Sequence, residues 1–396
     1  MSLNETVSSE RVHIAFFGCR NAGKSSLVNA VTGQKLAVVS EIAGTTTDPV
    51  KKAMEILPLG PVVIIDTPGI DDEGALGSLR VEKTNEVLAK TDVAVLVVDS
   101  EKGLREPDRA LMRELAARKL PLIIAWNKCD LKMPAGLAKN AVAVSAATGE
   151  GVNELKERIA ALGRKEEKLI VSDILPRNAV VVLVIPVDES APKGRLILPQ
   201  QLVLRELLDE HCAALCCQPR ELPALLDSLM EPPAMVITDS QAFGTVSKTV
   251  PESIPLTSFS ILMARYRGEL LSQIEGVKAL KELKDGDLVM ISEGCTHHRQ
   301  CRDIGTVKLP GWIEAYCGAK PRYAFTSGGE FPTEFEGVKL IVHCGGCMLT
   351  PTEMHSRAER AKNAGVPMVN YGIAIAAMHG ILQRSIAPIP EVKGML

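Results

Sequence analysis

The chain has 396 residues, enough at roughly 150 residues per domain for two or three domains that fold on their own cores without disulfides or metals. Lys and Arg total 45 against 48 Asp and Glu, a formal net charge of -3, and aromatics make up only 3%. That balance argues against a nucleic-acid binder built on a broad basic face or a base-stacking platform, while leaving room for a local basic patch.

The opening, Met1 to Arg11, is polar and lacks the charged-then-apolar layout of a secretory signal, so a cytoplasmic location is expected. Apolar runs such as Ala179 to Val187 fall far short of the roughly 18 residues needed to span a bilayer, so no membrane partner is expected. The 10 cysteines then belong to a reducing compartment. There, clustered Cys are more often metal ligands or catalytic thiols, and scattered ones small buried hydrophobes.

In chain order, apolar strand-like runs at Val12 to Phe17, Val62 to Ile65, Val93 to Val98, Leu122 to Ala125 and Val142 to Val144 alternate with helical patterns. Continuous apolar strands predict a parallel sheet covered on both faces, one doubly wound α/β domain over 1–170. The charged run Arg164 to Lys168 reads as a solvated helix end closing it. A smaller α/β unit over 171–258 follows, with strands near Ala179 to Pro186 and Ala234 to Asp239 and helices near Gln201 to Cys217 and Leu222 to Leu229. Pro251 and Pro255 mark its end. A third α/β unit over 259–396 opens on a long amphipathic helix, Phe259 to Gln273. It continues with strands at Asp287 to Ser292, Pro321 to Thr326, Val338 to Val342 and Pro367 to Tyr371, and a helix from Ile373 to Arg384.

Gly18-Cys19-Arg20-Asn21-Ala22-Gly23-Lys24-Ser25 fits G-x-x-x-x-G-K-S and sits directly after a strand, opening a helix that also carries Ser26. Its backbone N–H groups can wrap phosphates, Lys24 adds a point charge and Ser25 a hydroxyl for magnesium. Asp66-Thr67-Pro68-Gly69 follows the next parallel strand, with a carboxylate for magnesium and a glycine N–H for a γ-phosphate. Asn127-Lys128-Cys129-Asp130 follows another. The Asp130 carboxylate can accept from guanine N1–H and the exocyclic amine and would be left unpaired by adenine, so GTP and GDP are the expected ligands. Ser145-Ala146 would support the base through a backbone N–H.

On these motifs, residues 12–160 resemble GTPases of the Era/TrmE type. Ile70 stands where Ras-type proteins carry the glutamine that orients water, so hydrolysis needs other assistance. Asn21 and the loop to Gly44-Thr45-Thr46-Thr47-Asp48 resemble potassium-dependent members, in which Asn and loop carbonyls hold K⁺. The resemblance implies Thr46 on magnesium and a catalytic set of Lys24, Asn21, Thr46, Asp66 and Gly69.

The last unit holds Cys295-Thr296-His297-His298 and, after a strand, His343-Cys344-Gly345-Gly346-Cys347. C-x-x-C bridged by two glycines brings two thiolates together and bares N–H groups for cluster sulfurs, while a distant Cys closes the site. Read as chemistry alone, this leaves open a Cys₃His zinc site or an iron-sulfur cluster with a non-Cys or exchangeable fourth ligand. Behind a potassium-type GTPase and a middle α/β unit, C-x-H, a long gap and H-C-x-x-C resemble the iron-iron hydrogenase maturation GTPases, the HydF family, over essentially the whole chain. That resemblance implies a 4Fe-4S cluster on Cys295, Cys344 and Cys347 with an accessible fourth position, and His297 and His343 as further candidate ligands or as orienting residues. It also implies a homodimer that accepts a diiron precursor made with two radical-SAM maturases and delivers it to apo iron-iron hydrogenase. The middle unit would dimerise, with the apolar strand Val180 to Ile185 extending a sheet across two chains.

The remaining candidates have simpler readings. Cys19 and Cys129 occupy variable motif positions and are expected to pack passively. Cys212, Cys216 and Cys217, with His211, fall on a predicted helix and read as core, while Cys301 and Cys317 lack paired geometry. His298 and His355 read as surface or supporting residues. Two rival functions remain: a ribosome-assembly or tRNA-modifying GTPase with a structural zinc domain, and an enzyme whose own iron-sulfur centre performs redox catalysis under GTPase control.

Overall fold

The computed structural model describes residues 8–33, 50–57, 59–70, 84–163, 168–187, 196–294 and 304–393. It divides into two compact units, Met1–Glu166 and Glu167–Leu396.

The first unit is a six-stranded sheet in the order β2-β3-β1-β4-β5-β6, with β1 Val12–Phe17, β2 Val50–Ile56, β3 Gly60–Asp66, β4 Val93–Asp99, β5 Leu122–Asn127 and β6 Ala141–Ala143. All pairings are parallel except β2 with β3. Alternate residues of β1 serve opposite faces. Ile14 and Phe16 pack with helices α1 (Lys24–Thr32) and α3 (Val152–Gly163), while Ala15 and Phe17 pack with α2 (Glu106–Ala117). Each such fully buried aromatic contributes about 1.5–3 kcal/mol. The expected doubly wound α/β sheet is therefore present. The antiparallel edge strand β2 was not expected; its sequence, VKKAMEI, carries exposed Lys51, Lys52 and Glu55 in place of an apolar run.

The second unit contains two parallel four-stranded sheets. The first, ordered β10-β9-β7-β8, comprises β7 Val180–Val184, β8 Ala213–Cys217, β9 Met235–Thr238 and β10 Leu256–Ser258. The second, ordered β12-β11-β13-β14, comprises β11 Leu288–Glu293, β12 Arg322–Ser327, β13 Val338–His343 and β14 Met368–Asn370. In chain order their helices are α4 (Leu198–Asp209), α5 (Leu222–Ser228), α6 (Phe243–Thr249), α7 (Phe259–Arg267), α8 (Leu270–Glu275), α9 (Val277–Lys281), α10 (Leu309–Cys317), α11 (Pro351–Asn363), α12 (Tyr371–Met378) and α13 (Leu382–Ile386). One core joins both sheets: Val182, Val184 and Val236 share it with Val289, Ile291, Leu340 and Val342 through Phe243, Ile261 and Ile373. The outer faces have their own cores, Val181, Leu183, Val203 and Leu207 on one and Met290, Ile341, Phe331 and Met354 on the other. Among the described residues no helix is long and apolar enough to cross a membrane.

Four expectations are corrected. The helix expected to run from Gln201 to Cys217 stops at Asp209; His211 turns left-handed (φ 59) and Ala213–Cys217 forms strand β8, so Cys216 and Cys217 are not helical. The long helix expected from Phe259 to Gln273 breaks at Gly268, a left-handed C-cap between α7 and α8. The C-terminal helix likewise divides into α12 and α13. Finally, β7 lies between β8 and β9, so it offers no free edge to a second chain; an edge belongs to β8.

Candidate nucleotide and cluster sites

The nucleotide site begins where β1 ends. A Cβ at Gly18 would lie 2.2 Å from the Val97 carbonyl oxygen on neighbouring β4, and one at Gly23 would lie 2.2 Å from Asn127 Nδ2. Both positions also have positive φ, so the loop can pass this close to its neighbours only as glycine. Gly23 caps α1 from the left-handed region, and exposed Asn21 adopts the same region at φ 59. Ser26 lies half-buried in the first turn of α1.

Buried Lys24 donates from Nζ to the carbonyl oxygens of Gly18 at 2.9 Å and Cys19 at 3.0 Å, which holds its charge inside the loop. Ser25 Oγ donates to Asp66 Oδ2 at 2.7 Å. Burial pushes the Asp66 carboxyl above its ordinary value, opposed by the Ser25 hydrogen bond and the Lys24 charge. Its other oxygen, Oδ1, is buried with no hydrogen-bond partner among the described residues. A hydroxyl beside a carboxylate with a spare buried oxygen fits the oxygen-donor chemistry of magnesium. Gly69 follows at the turn, and Ile70 N–H donates to the Gly18 carbonyl at 3.3 Å.

The loops expected to recognise guanine are tied to the phosphate loop by Asn127. Its Nδ2 donates to the Ala22 carbonyl at 2.9 Å and its Oδ1 accepts the Ala146 N–H at 3.0 Å. Lys128, left-handed at φ 64, donates to Asp99 Oδ2 at 2.7 Å. Burial raises the Asp99 carboxyl, but the Lys128 and Glu101 N–H hydrogen bonds and neighbouring lysine charges outweigh it and hold it below its ordinary value. Asp130 is exposed at the end of this loop. The N–H groups of Ser145 and Ala146 are engaged by the Glu150 carbonyl and by Asn127 Oδ1, which braces the loop expected to support the base. Sequence reasoning missed Asp99, although its place at the C-terminal end of β4 was the signal that could have found it. Cys19 does more than pack: its thiol donates to buried Asp108 Oδ1 on α2 at 3.2 Å. Cys129 is buried, and burial raises its thiol. Gly44 to Asp48, with Thr46, lie outside the described residues.

The cysteine motif lies at the C-terminal ends of β11 and β13, which run side by side with Ser292 opposite His343. Cys344 N–H donates to the Ser292 carbonyl at 2.9 Å. The sulfur of this half-buried residue accepts the N–H of Gly294 at 3.0 Å and of Gly346 at 3.4 Å. Burial pushes the Cys344 thiol up and these two N–H groups pull it down. Cys347 is half-buried, and its carbonyl accepts Arg267 Nη2 at 3.3 Å. Cys295, directly after Gly294, lies outside the described residues with His297, His298 and Cys301. Among the described residues no group of three His, Cys, Asp or Glu is placed to hold a metal. The donor set of Cys344 nevertheless fits an iron-sulfur cluster, since N–H donors already converge on its sulfur.

His343 is fully buried with both ring nitrogens engaged. Nε2 lies 3.1 Å from Arg357 Nη1, and Nδ1 lies 2.8 Å from the Cys344 carbonyl. Arg357 can only donate and a carbonyl only accept, so the ring is neutral with its proton on Nδ1. Burial, then the Arg357 charge, lowers its pKa to about 3. Of the two roles expected for His343, ligand or orienting residue, these contacts favour the orienting one. Arg357 was missed because α11 reads as a solvated, highly charged helix.

Other candidates lie elsewhere. Cys212 is buried before β8, Cys216 is exposed on it, and Cys217 is half-buried. Burial raises the Cys217 thiol to about 11. Cys317 ends α10, its thiol directed to the Glu314 and Ala319 carbonyls. Exposed His355 pairs with Glu269 at 3.0 Å.

Three domain models match along the chain. A model described as the hydrogen maturase F tetramerization domain matches residues 271–388, the hydrogen maturase F dimerization domain matches 170–268, and a 50S ribosome-binding GTPase model matches 13–128. The tRNA modification GTPase MnmE of Chromobacterium violaceum is 38% identical over 156 residues, covering 38% of this chain and 34% of the relative. MnmE of a Synechococcus species is 37% identical over 171 residues, covering 41% and 36%. The chain thus spans about a third of the length of these curated relatives. The G domain of the T. maritima FeoB iron transporter is 28% identical with a TM-score of 0.31, covering 39% of this chain and 100% of that one.

Proposed function

The chain belongs to the hydrogen maturase F family, and on that premise we propose that it is a GTP-hydrolysing scaffold for an iron-sulfur cluster and a diiron cargo. The observation that carries the reading is the convergence of two backbone N–H groups, from Gly294 and Gly346, on the sulfur of Cys344. Cys295 directly follows the first of these donors. Cys295, Cys344 and Cys347 would hold a 4Fe-4S cluster, which supplies an iron with an accessible coordination position. Burial and the N–H donors favour the ligated over the free thiol at Cys344. The diiron precursor is cargo, received with two radical-SAM maturases and passed to apo iron-iron hydrogenase.

In the first unit, Lys24 and the loop N–H groups hold the phosphates of GTP or GDP, Ser25, Asp66 and Thr46 serve magnesium, and Asp130 reads the guanine edge. With Ile70 in place of a water-orienting glutamine, Asn21 holds potassium and potassium stimulates hydrolysis. Nucleotide state alters affinity for partner proteins, with a coupling free energy on the order of 1–3 kcal/mol. The protein works as a cytoplasmic homodimer, with association through residues 171–258 and the cluster in 259–396.

The test is iron, zinc and sulfide content with electron paramagnetic resonance of the reduced full chain, purified without oxygen, beside Cys295→Ser, Cys344→Ser and Cys347→Ser. Near four irons per chain, diminished in each variant while GTP hydrolysis persists, supports the scaffold. Stoichiometric zinc without iron overturns it in favour of a GTPase with a structural metal domain.

A further inference from the structure

Arg357 on α11 is 1% exposed, an unusual fate for an arginine in a helix as charged as Pro351–Asn363. Burying a guanidinium costs several kcal/mol unless its donors are met with good geometry. Here Nη2 donates to Glu353 Oε1 at 2.9 Å and to the Gly328 carbonyl at 2.6 Å, and the guanidinium lies 5.0 Å from the Phe331 ring centroid. Those contacts neutralise and pack the charge. They do not account for Nη1, which points 3.1 Å from the Nε2 of neutral His343.

We infer that Arg357 is a positioning residue for the cysteine turn, acting through His343; the inference rests on Cys344 being a cluster ligand. Arg357 occupies Nε2 as an acceptor, which forces the imidazole proton onto Nδ1 and closes Nε2 to metal. Nδ1–H then fixes the carbonyl of Cys344 at 2.8 Å. That carbonyl begins the peptide leading into Gly345 and Gly346, and its orientation decides whether the Gly346 N–H reaches the Cys344 sulfur, as it does at 3.4 Å. Gly346 sits at φ 62, where a turn of this kind has few alternatives to a glycine. The relay runs from α11 through two side chains to a sulfur. Its output is the number of N–H donors that sulfur receives, a determinant of the potential of any cluster it ligates.

Replacing Arg357 alone would deprive buried Glu353 of its guanidinium, so the test is made at His343. Asparagine places an amide N–H near the position of Nδ1 and keeps the bond to the Cys344 carbonyl. Glutamine reaches the position of Nε2, keeps an acceptor for Arg357 and gives up the Cys344 bond. The full chain is purified without oxygen as wild type, His343→Asn and His343→Gln. Iron content is measured, and the cluster potential is followed by electron paramagnetic resonance. The relay predicts wild-type potential and g values for His343→Asn, and a downward shift with altered g values for His343→Gln. A role in filling space alone makes the smaller asparagine at least as disruptive as glutamine, so equal behaviour, or the larger shift in His343→Asn, overturns the inference. Absence of an iron-sulfur signal in wild type overturns the cluster reading itself, an outcome visible before either variant is compared.

Discussion

The side-chain amide of Asn127 donates to the backbone carbonyl of Ala22, 105 residues earlier, at 2.9 Å. Its other end accepts from Ala146. One buried amide therefore locks the loop of residues 18–25 to the loops that follow β5 and β6. Asn127→Ala leaves the buried Ala22 carbonyl and the part-buried Ala146 N–H without this partner, and the buried group alone costs about 1–3 kcal/mol. GTP affinity is expected to fall tenfold or more, measured by titration calorimetry. Unchanged affinity would show that the brace contributes nothing to the site.

Gly18→Ala tests the fit of the same loop against the sheet. The added Cβ would approach the Val97 carbonyl, which is fixed in a central strand and cannot rotate away. Destabilisation of about 1–3 kcal/mol is expected, read as a lowered thermal midpoint of the first unit. Retention of wild-type stability would mean the backbone relaxes more readily than its position between β1 and β4 implies.

Asn21→Ala addresses the cation. Hydrolysis by the wild type is expected to be faster in potassium than in sodium, and the variant should lose that difference while still binding GTP. Equal rates of the wild type in both salts would remove potassium from the mechanism.

Self-association can be probed at β8. Ala213 N–H donates inward to Ala179 and the Cys217 carbonyl accepts from Ile185, so by alternation the N–H groups of Ala214 and Cys216 point away from β7. Ala214→Pro removes an outward donor without touching the inner ladder. Light scattering should show a smaller assembly with unchanged secondary structure. An assembly of wild-type mass would exclude this edge.

Glu206 tests the entry to the second unit. Its carboxylate accepts the N–H groups of Ile170, Val171 and Ser172 at 2.6, 2.8 and 2.8 Å. Glu206→Gln can satisfy fewer of them, and a loss of about 1–3 kcal/mol is expected. Faster hydrogen exchange at residues 170–172 would register it, and unaltered protection would contradict it.

The legible part of this protein was the part written locally. Strands β1, β3, β4 and β5 announced themselves as unbroken apolar runs, and each nucleotide motif sits at the end of one, where a parallel sheet gathers its loops. Strand β2 was hidden because an edge strand with one exposed face needs no apolar run. The stretch ending at Cys217 was misread because leucines and cysteines suit a buried helix and a strand equally, and only the left-handed turn at His211 separates them. Arg357 and Asp99 matter through partners distant in sequence, Arg357 through His343 and Gly328, Asp99 through Lys128. No local pattern contains those pairings.

The single core behind the two smaller sheets has a consequence for inheritance. Residues 170–268 and 271–388 match separate domain models of hydrogen maturase F, yet Val182 and Val184 from one share an interior with Leu340 and Val342 from the other. A recombination event that joined either segment to a foreign partner would exchange half of an interior packed to near-crystalline density. Selection against such chimeras would keep the two segments side by side in one gene, a constraint that does not arise within the N-terminal unit, whose interiors are its own.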